Sequence, residues 1–231
     1  MKTILKILLI CVVIGCEEHI PQTQQISAII DLTDADNIPP SAKDIVNYLD
    51  KSPPSDGLGI SLRYVSETRY TPKFQFILQQ SSVGWLSNED VQRRKKKKLL
   101  QQFKDTLERH QTAQSPRSEI FRLVCNELTD LSKKDGKKKL LLFSDLKENS
   151  FFSVYHQNDV YQLLNQREKV VANFLTNVYL PEDLSGISLH IIYSPNLQED
   201  KVFTAMINLY QSIFEKRGVT LYISNEKKVV L

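Results

Sequence analysis

The chain of 231 residues lacks any apolar run long enough to cross a bilayer, and it contains only three cysteines. A membrane-spanning helix needs about 20 consecutive apolar residues, whereas the run at residues 7–14 is far shorter. Cys11 lies inside this run and Cys16 follows it after Gly15, so we expect no intrachain disulfide in the processed protein. Cys125 lies in a helical pattern of apolar residues, which predicts a buried structural thiol.

Signatures of common catalytic sites are also missing. The sequence contains no G-x-S-x-G motif, no glycine-rich phosphate loop and no histidine pair at metal-ligand spacing. The four histidines, His19, His110, His156 and His190, are scattered along the chain. We therefore expect core, interface or surface roles for them, and a protein without enzymatic activity.

The N-terminal segment has the order of a secretory signal peptide. Lys2 and Lys6 supply positive charge ahead of the short apolar run, and a small residue, Gly15, closes it. We expect residues 1–15 to be removed. The processed chain would then carry 28 basic and 27 acidic residues, a nearly neutral balance.

The end of this segment, Val13-Ile14-Gly15-Cys16, resembles the lipobox of bacterial lipoproteins. The resemblance implies a covalent lipid on Cys16, which would hold the protein at a membrane of the cell envelope, outside the cytoplasm. Two or more acyl chains anchor a protein stably where a single chain does not. Residues 16–25 are polar and are expected to form a tether. The alternative is an ordinary signal peptide in which Cys16 is incidental.

Basic residues are concentrated in two places. The first is an unbroken run of six: Arg93, Arg94, Lys95, Lys96, Lys97 and Lys98. The second group comprises Lys133, Lys134, Lys137, Lys138 and Lys139. Such clusters attract nucleic acid or anionic lipid headgroups. A solvated helix face is the simpler alternative for a run that contains no aromatic residue.

Residues 26–231 are enough for one sizeable domain. Strand-like apolar patterns occur at residues 26–30, 60–64, 74–78, 139–143, 187–193 and 219–224. Helical patterns begin at Ser41, Glu89, Pro116, Asn158 and Glu199. The order predicts an α/β fold: a doubly wound, mostly parallel sheet with one antiparallel hairpin strand, in a three-layer sandwich.

Polar residues follow two of the buried strands. Asp31-Leu-Thr33-Asp34-Ala35-Asp36 comes after the first strand, and Ser144-Asp145 comes after the central one. Ligands of such sheets bind outside the carboxyl ends of the strands. We therefore place the candidate site there.

These two loops and the element order over residues 26–224 resemble a von Willebrand factor type A (vWA) domain. The resemblance implies a metal-ion-dependent adhesion site with Asp31, Thr33, Ser115 and Asp145 as ligands of Mg²⁺, and Thr112 as the competitor of Ser115. An octahedron of six oxygens from carboxylates, hydroxyls and waters suits this ion.

The sequence departs from the family pattern at two positions. Ala35 stands where the family has the last hydroxyl of its first motif, and Leu146 stands where a glycine commonly follows the later aspartate. Asp34 or Asp36 could replace the missing ligand, or could cap the next helix. A working magnesium site and a degenerate, metal-free one both stay open.

The sequence predicts a lipid-anchored, vWA-like module that binds or scaffolds an unknown protein partner. One alternative is an envelope protein associated with nucleic acid or DNA transfer through Arg93–Lys98. A phosphatase-like hydrolase is a third, because the Asp31 loop resembles that of haloacid-dehalogenase-type enzymes. That family needs a second aspartate where Thr33 stands.

Overall fold

The structure is a computed structural model that describes residues 22–33, 39–53, 55–65, 72–81, 89–110, 117–193 and 201–224. Its strands are β1 (Thr23–Ile30), β2 (Gly57–Tyr64), β3 (Phe74–Leu78), β4 (Lys137–Phe143), β5 (Ile187–Ile192) and β6 (Thr220–Ser224). Its helices are α1 (Ala42–Val46), α2 (Glu89–Arg109), α3 (Ile120–Ser132), α4 (Gln157–Asn165), α5 (Arg167–Asn177) and α6 (Lys201–Phe214), followed by a 3-10 turn (Glu215–Arg217). Among these helices, none has the length and apolarity needed to cross a membrane.

The six strands form a single sheet in the order β3-β2-β1-β4-β5-β6. All neighbouring pairs are parallel except β2 and β3, which run antiparallel as a hairpin. This arrangement confirms the predicted doubly wound α/β fold. Its strand order changes direction between β1 and β4, which is where such sheets open a ligand crevice.

Helices cover both faces of the sheet and create two cores. Strands buried on both faces are almost continuously apolar, as Ala28–Ile30 and Leu140–Leu142 are, each with no exposed surface. On one face Phe103 and Leu107 of α2 pack over β1, β2 and β3. On the other face α3, α4, α5 and α6 enclose an aromatic group: Phe121, Phe174, Tyr210 and Phe214.

Several sequence-based boundaries were wrong. Strands β1 and β2 begin at Thr23 and Gly57, each three residues before the predicted start. Helix α3 begins at Ile120, so Pro116 is not its first residue; Ser118 instead pairs with Asn149 in an isolated β-bridge. The long helix predicted from Asn158 to 178 is two helices, separated at Gln166.

Two local predictions were confirmed. Ser41 caps α1, because its hydroxyl accepts a hydrogen bond from the Asp44 N–H while the Asp44 carboxylate accepts one from the Ser41 N–H. Gly218 adopts a left-handed conformation with φ of 83°, and it ends the helical segment before β6.

Candidate functional site

The ends of β1 and β4 bring the predicted site residues together. Ile30 and Phe143 are register partners on neighbouring parallel strands, and the ladder continues one step further because the Asp31 N–H donates to the Phe143 carbonyl at 2.9 Å. The Ser144 N–H donates in turn to the Ile192 carbonyl of β5 at 3.3 Å. Asp31 and Ser144 therefore lie side by side, fixed by backbone bonds, at the point where the strand order changes direction.

The Asp31 carboxylate is held by hydroxyl groups from both loops. Its Oδ2 accepts a hydrogen bond from the Ser144 hydroxyl at 2.7 Å, and its Oδ1 accepts from the Thr33 hydroxyl at 2.6 Å and the Thr33 N–H at 3.0 Å. Burial raises the pKa of Asp31; the Thr33 and Ser144 hydrogen bonds act in the opposite direction, and the nearby charge of Asp145 raises it further. A buried carboxylate with these partners is positioned rigidly.

The second aspartate of the site, Asp145, is paired with a lysine two residues later. Its Oδ1 accepts a hydrogen bond from the Lys147 N–H at 3.0 Å. Its Oδ2 lies 2.9 Å from the Lys147 ammonium nitrogen. The Asp145 side chain is 3% exposed and that of Lys147 is 32% exposed. The ammonium group therefore neutralises the buried carboxylate from the solvent side.

Leu146, between these two residues, has a backbone conformation that normally favours glycine. Its φ is 60°, in the left-handed region where a Cβ clashes with the backbone. Two contacts hold it there, since its N–H donates to the Ser144 hydroxyl oxygen at 2.9 Å and its side chain is fully buried in the core beneath α3. Leu146 thus combines a glycine-like backbone with a side chain packed in the core.

A buried glutamate ties this loop to helix α3. Glu148 is fully buried, its Oε2 accepts a hydrogen bond from the Phe121 N–H at 2.8 Å, and the Ser150 hydroxyl bonds to its Oε1. Burial raises the pKa of Glu148 to about 8, so the side chain is protonated at neutral pH. The Ser118 hydroxyl adds a second tie by donating to the Lys147 carbonyl at 2.6 Å. The loop after β4 is therefore held to α3 through Glu148 and to the segment before α3 through Ser118.

The described residues supply part of the ligand set that the resemblance implies. They contribute the carboxylates of Asp31 and Asp145 and the hydroxyls of Thr33 and Ser144, but the Lys147 ammonium lies where a cation would bind Asp145. Across the described ranges, no group of three or more His, Cys, Asp and Glu side chains is arranged to hold a metal. Several predicted or competing positions lie outside the described residues: Asp34, Ala35, Asp36, Thr112 and Ser115.

The remaining sequence-based candidates lie away from this cluster. Cys125 is fully buried on α3 and burial raises the pKa of its thiol, which agrees with a structural role. His190 stacks on Tyr222 with ring centroids 4.7 Å apart, and burial lowers its pKa to about 4. Cys16 lies outside the described residues. The run Arg93–Lys98 lies on α2, toward the opposite edge of the sheet.

Sequence reasoning missed two residues that shape the site. Lys147 belongs to no sequence motif, although its spacing from Asp145 allows both its N–H and its ammonium to reach the carboxylate. Glu148 carries no sequence signal, because its burial depends on how the loop folds back onto the start of α3.

These features define a doubly wound α/β domain with two aspartates and two hydroxyls at its switch point. No protein-family profile and no curated protein matches the chain. Among solved structures, the human COPII-coat protein Sec24c is similar over 90% of this chain, with 9% sequence identity and a TM-score of 0.35. This chain spans 30% of the length of that one.

Proposed function

We propose that the chain is a lipid-anchored, vWA-like module of the bacterial cell envelope that binds or scaffolds another protein. The observation that carries the proposal is the hydrogen bond from the Ser144 hydroxyl to Asp31, 2.7 Å long. It joins the two loops whose motifs resemble the family's site. Both loops also stand at the switch point of the sheet, where folds of this class bind ligands.

The proposed binding surface is formed by the loops around Asp31 and Asp145. Lys147 presents a partly exposed ammonium beside a buried carboxylate, so the surface offers a partner a fixed charge pair rather than a bare acid. Charged groups of this kind contribute mainly to specificity and association rate. No catalytic step is assigned to the site, and the proposed role is non-enzymatic.

The proposal also includes a dependence of the binding site on magnesium. A Mg²⁺ ion bound to Asp145 would have to displace the Lys147 ammonium and to recruit further oxygens, for which Ser115 is the family-based candidate. Mg²⁺ requires near-octahedral coordination and gives up its waters reluctantly. Metal binding would therefore change the contacts of Lys147, which makes Lys147 the residue to vary when this part is tested.

The anchor is tested separately from the site. Mass spectrometry of the N-terminal peptide from the membrane fraction should show a diacylated Cys16, and Cys16→Ser should remove the lipid mass. A processed peptide that begins at another residue, or an unmodified Cys16 at the N-terminus, would contradict the anchor.

The binding role is tested by quantitative crosslinking and capture of the anchored protein from its own membranes. Asp145→Asn should lose a specific partner that the native chain retains, and Thr33→Val should weaken the same partner. Asp183→Asn is the matched control, because Asp183 is exposed and precedes β5 at the other edge of the sheet. Melting temperatures of all three variants establish that they fold.

If the Asp145→Asn and Asp183→Asn chains capture the same partners in the same amounts, the site does not bind them. That result would refute the proposed function while leaving the lipid anchor unaffected.

A further inference from the structure

Both basic groups of the sequence lie at the amino-terminal edge of the sheet, the edge opposite to the candidate site. Helix α2 is oriented by two contacts. The Lys96 ammonium lies 3.3 Å from the Ser52 hydroxyl, in the segment that leads into β2, whereas the Tyr64 hydroxyl at the end of β2 donates to the Leu107 carbonyl at 3.2 Å. The basic half of α2 therefore lies where β2 begins.

Most of these basic side chains are exposed. Six consecutive residues cover more than one and a half turns of a helix, and Leu99, Phe103 and Leu107 fix the side of α2 that packs on the sheet. The second group adds residues at the end of α3 and the start of β4. We define the basic edge by its exposed members: Lys51, Arg93, Arg94, Lys95, Lys97, Lys98, Lys133 and Lys137.

The chain enters the domain at this same edge. The Gln22 N–H donates to Asp56 Oδ1 at 3.1 Å, and the Gly57 N–H donates to the Gln22 carbonyl at 3.0 Å. Lys137 is the register partner of Gln24, two residues further along β1. The entry point is thus flanked by the start of β2 on one side and by a residue of the basic edge on the other.

Chain length limits how far this edge lies from the proposed anchor. Gln22 is the sixth residue after Cys16, and a fully extended chain gains at most about 3.6 Å per residue, so the entry point lies within roughly 20 Å of the lipidated cysteine. The eight residues of β1 place Asp31 about 26 Å further along the strand direction.

Acidic residues at the same edge lie in two places. Glu89, Asp90 and Asp135 are exposed among the basic residues, and Glu89 lies 3.3 Å from Arg93. Glu182, Asp183 and Glu215 lie next to the starts of β5 and β6, on the far side of β4. Asp50 is paired with Lys139 at 2.6 Å and with Lys137 at 3.4 Å. The eight exposed basic residues outnumber Asp50, Glu89, Asp90 and Asp135, so the half of the edge around β1 and β2 carries a net positive charge.

We propose that the basic edge is a membrane-contact surface for anionic lipid headgroups, which holds the candidate site pointing away from the bilayer. The proposal rests on the lipid anchor of the proposed function. Lys and Arg residues near an anionic surface each favour association several-fold, and a short leash keeps them within reach of it. A nucleic-acid surface would explain the charge but not its position at the point where the tether enters.

The experiment uses the lipidated chain reconstituted in vesicles. Asp135→Cys and Gln157→Cys each introduce one exposed thiol, the first beside the basic edge and the second at the start of α4, toward the candidate site. Cys125 is buried, so a fluorophore labels the new thiol selectively. Brominated lipid then reports which thiol lies near the bilayer.

We expect strong quenching at Asp135→Cys, weak quenching at Gln157→Cys, and this contrast only in vesicles that contain phosphatidylglycerol. High salt should reduce it, because the Debye length falls from about 10 Å at 0.1 M to about 3 Å at 1 M. Replacing Arg93, Arg94, Lys97 and Lys98 with glutamine should lower quenching at Asp135→Cys several-fold. The matched control removes four exposed charges elsewhere: Lys104, Arg109, Arg167 and Lys169.

Four results would overturn the proposal. Equal quenching at both thiols in vesicle-bound protein would refute the orientation and leave the anchor intact. An equal loss in the control variant would show that net charge, not the basic edge, controls the contact. Duplex DNA binding that depends on Arg93–Lys98, with unchanged quenching, would make this a nucleic-acid surface. Protein that fails to remain with the vesicles would contradict the anchor itself, and the orientation with it.

Discussion

Replacing Glu148 with glutamine tests whether a protonated acid is buried behind the candidate site. Burial raises the pKa of Glu148 from 4.5 to about 8, so between these values the folded chain holds a proton that the unfolded chain releases. Unfolding therefore releases a proton in this window, and stability falls as pH rises. The contribution of Glu148 is fully present below about pH 4.5 and is lost progressively toward about pH 8.

The expected magnitude follows from the two pKa values. Each pH unit inside the window costs the native chain about 1.4 kcal/mol, which amounts to about 2.5 kcal/mol between about pH 5 and about pH 7. Glutamine mimics the protonated acid, since its carbonyl accepts from the Phe121 N–H and its amide reaches the Ser150 hydroxyl oxygen. Glu148→Gln should therefore gain about 2.5 kcal/mol relative to the native chain over this range.

Urea unfolding of both chains at the two pH values measures this difference directly. The other titrating groups, such as Asp31 and His190, are present in both chains, so their contributions largely cancel in the comparison. The melting temperatures should diverge by about 5–10 °C over the same range. Glu168→Gln, on the exposed surface of α5, controls for the loss of one carboxylate. A constant difference between native and Glu148→Gln chains across the window would refute the buried, protonated acid.

Two further predictions concern the loop after β4. Leu146→Gly and Leu146→Ala should both destabilise the fold by about 2–5 kcal/mol, because each removes a buried side chain. The glycine variant should be the more stable of the two by about 1 kcal/mol, because residue 146 has a positive φ. The reverse order of stability in urea unfolding would contradict the left-handed backbone. Lys147→Met should increase the rise in melting temperature that Mg²⁺ or Mn²⁺ produces, and Asp145→Ala should abolish it. No shift in either the native or the Lys147→Met chain at millimolar metal would exclude the metal mechanism and leave the fold intact.

The fold was predictable because the buried strands have simple patterns. The runs that end at Ile30 and Phe143 are apolar on both faces, and only a sheet covered by helices on both sides buries such strands. The alternation at Phe74, Phe76 and Leu78 identifies the hairpin strand, which packs on one face only. Boundaries were harder to predict because they depend on contacts distant in sequence, as the pairing of Ser118 with Asn149 before α3 illustrates.

The candidate site was predictable in position and only partly in chemistry. Parallel strands place their carboxyl ends at one edge, so Asp31 and Ser144 were expected to be neighbours. Neither the ion pair of Asp145 with Lys147 nor the burial of Glu148 follows from a sequence pattern. Both depend on the left-handed turn at Leu146, a conformation that the sequence gives no reason to assign to a leucine.

The hairpin also explains why the proposed membrane-contact surface and the candidate site lie at opposite ends of the domain. A third parallel strand would end at the carboxyl edge, and the next helix would begin there with its basic run beside Asp31. Because β3 runs back along β2, with Leu78 opposite Leu58, it ends at the amino-terminal edge. Helix α2 then starts at that edge, and Arg93–Lys98 lie beside the entry of the chain. One antiparallel strand thus separates the cations from the aspartates by the length of the sheet.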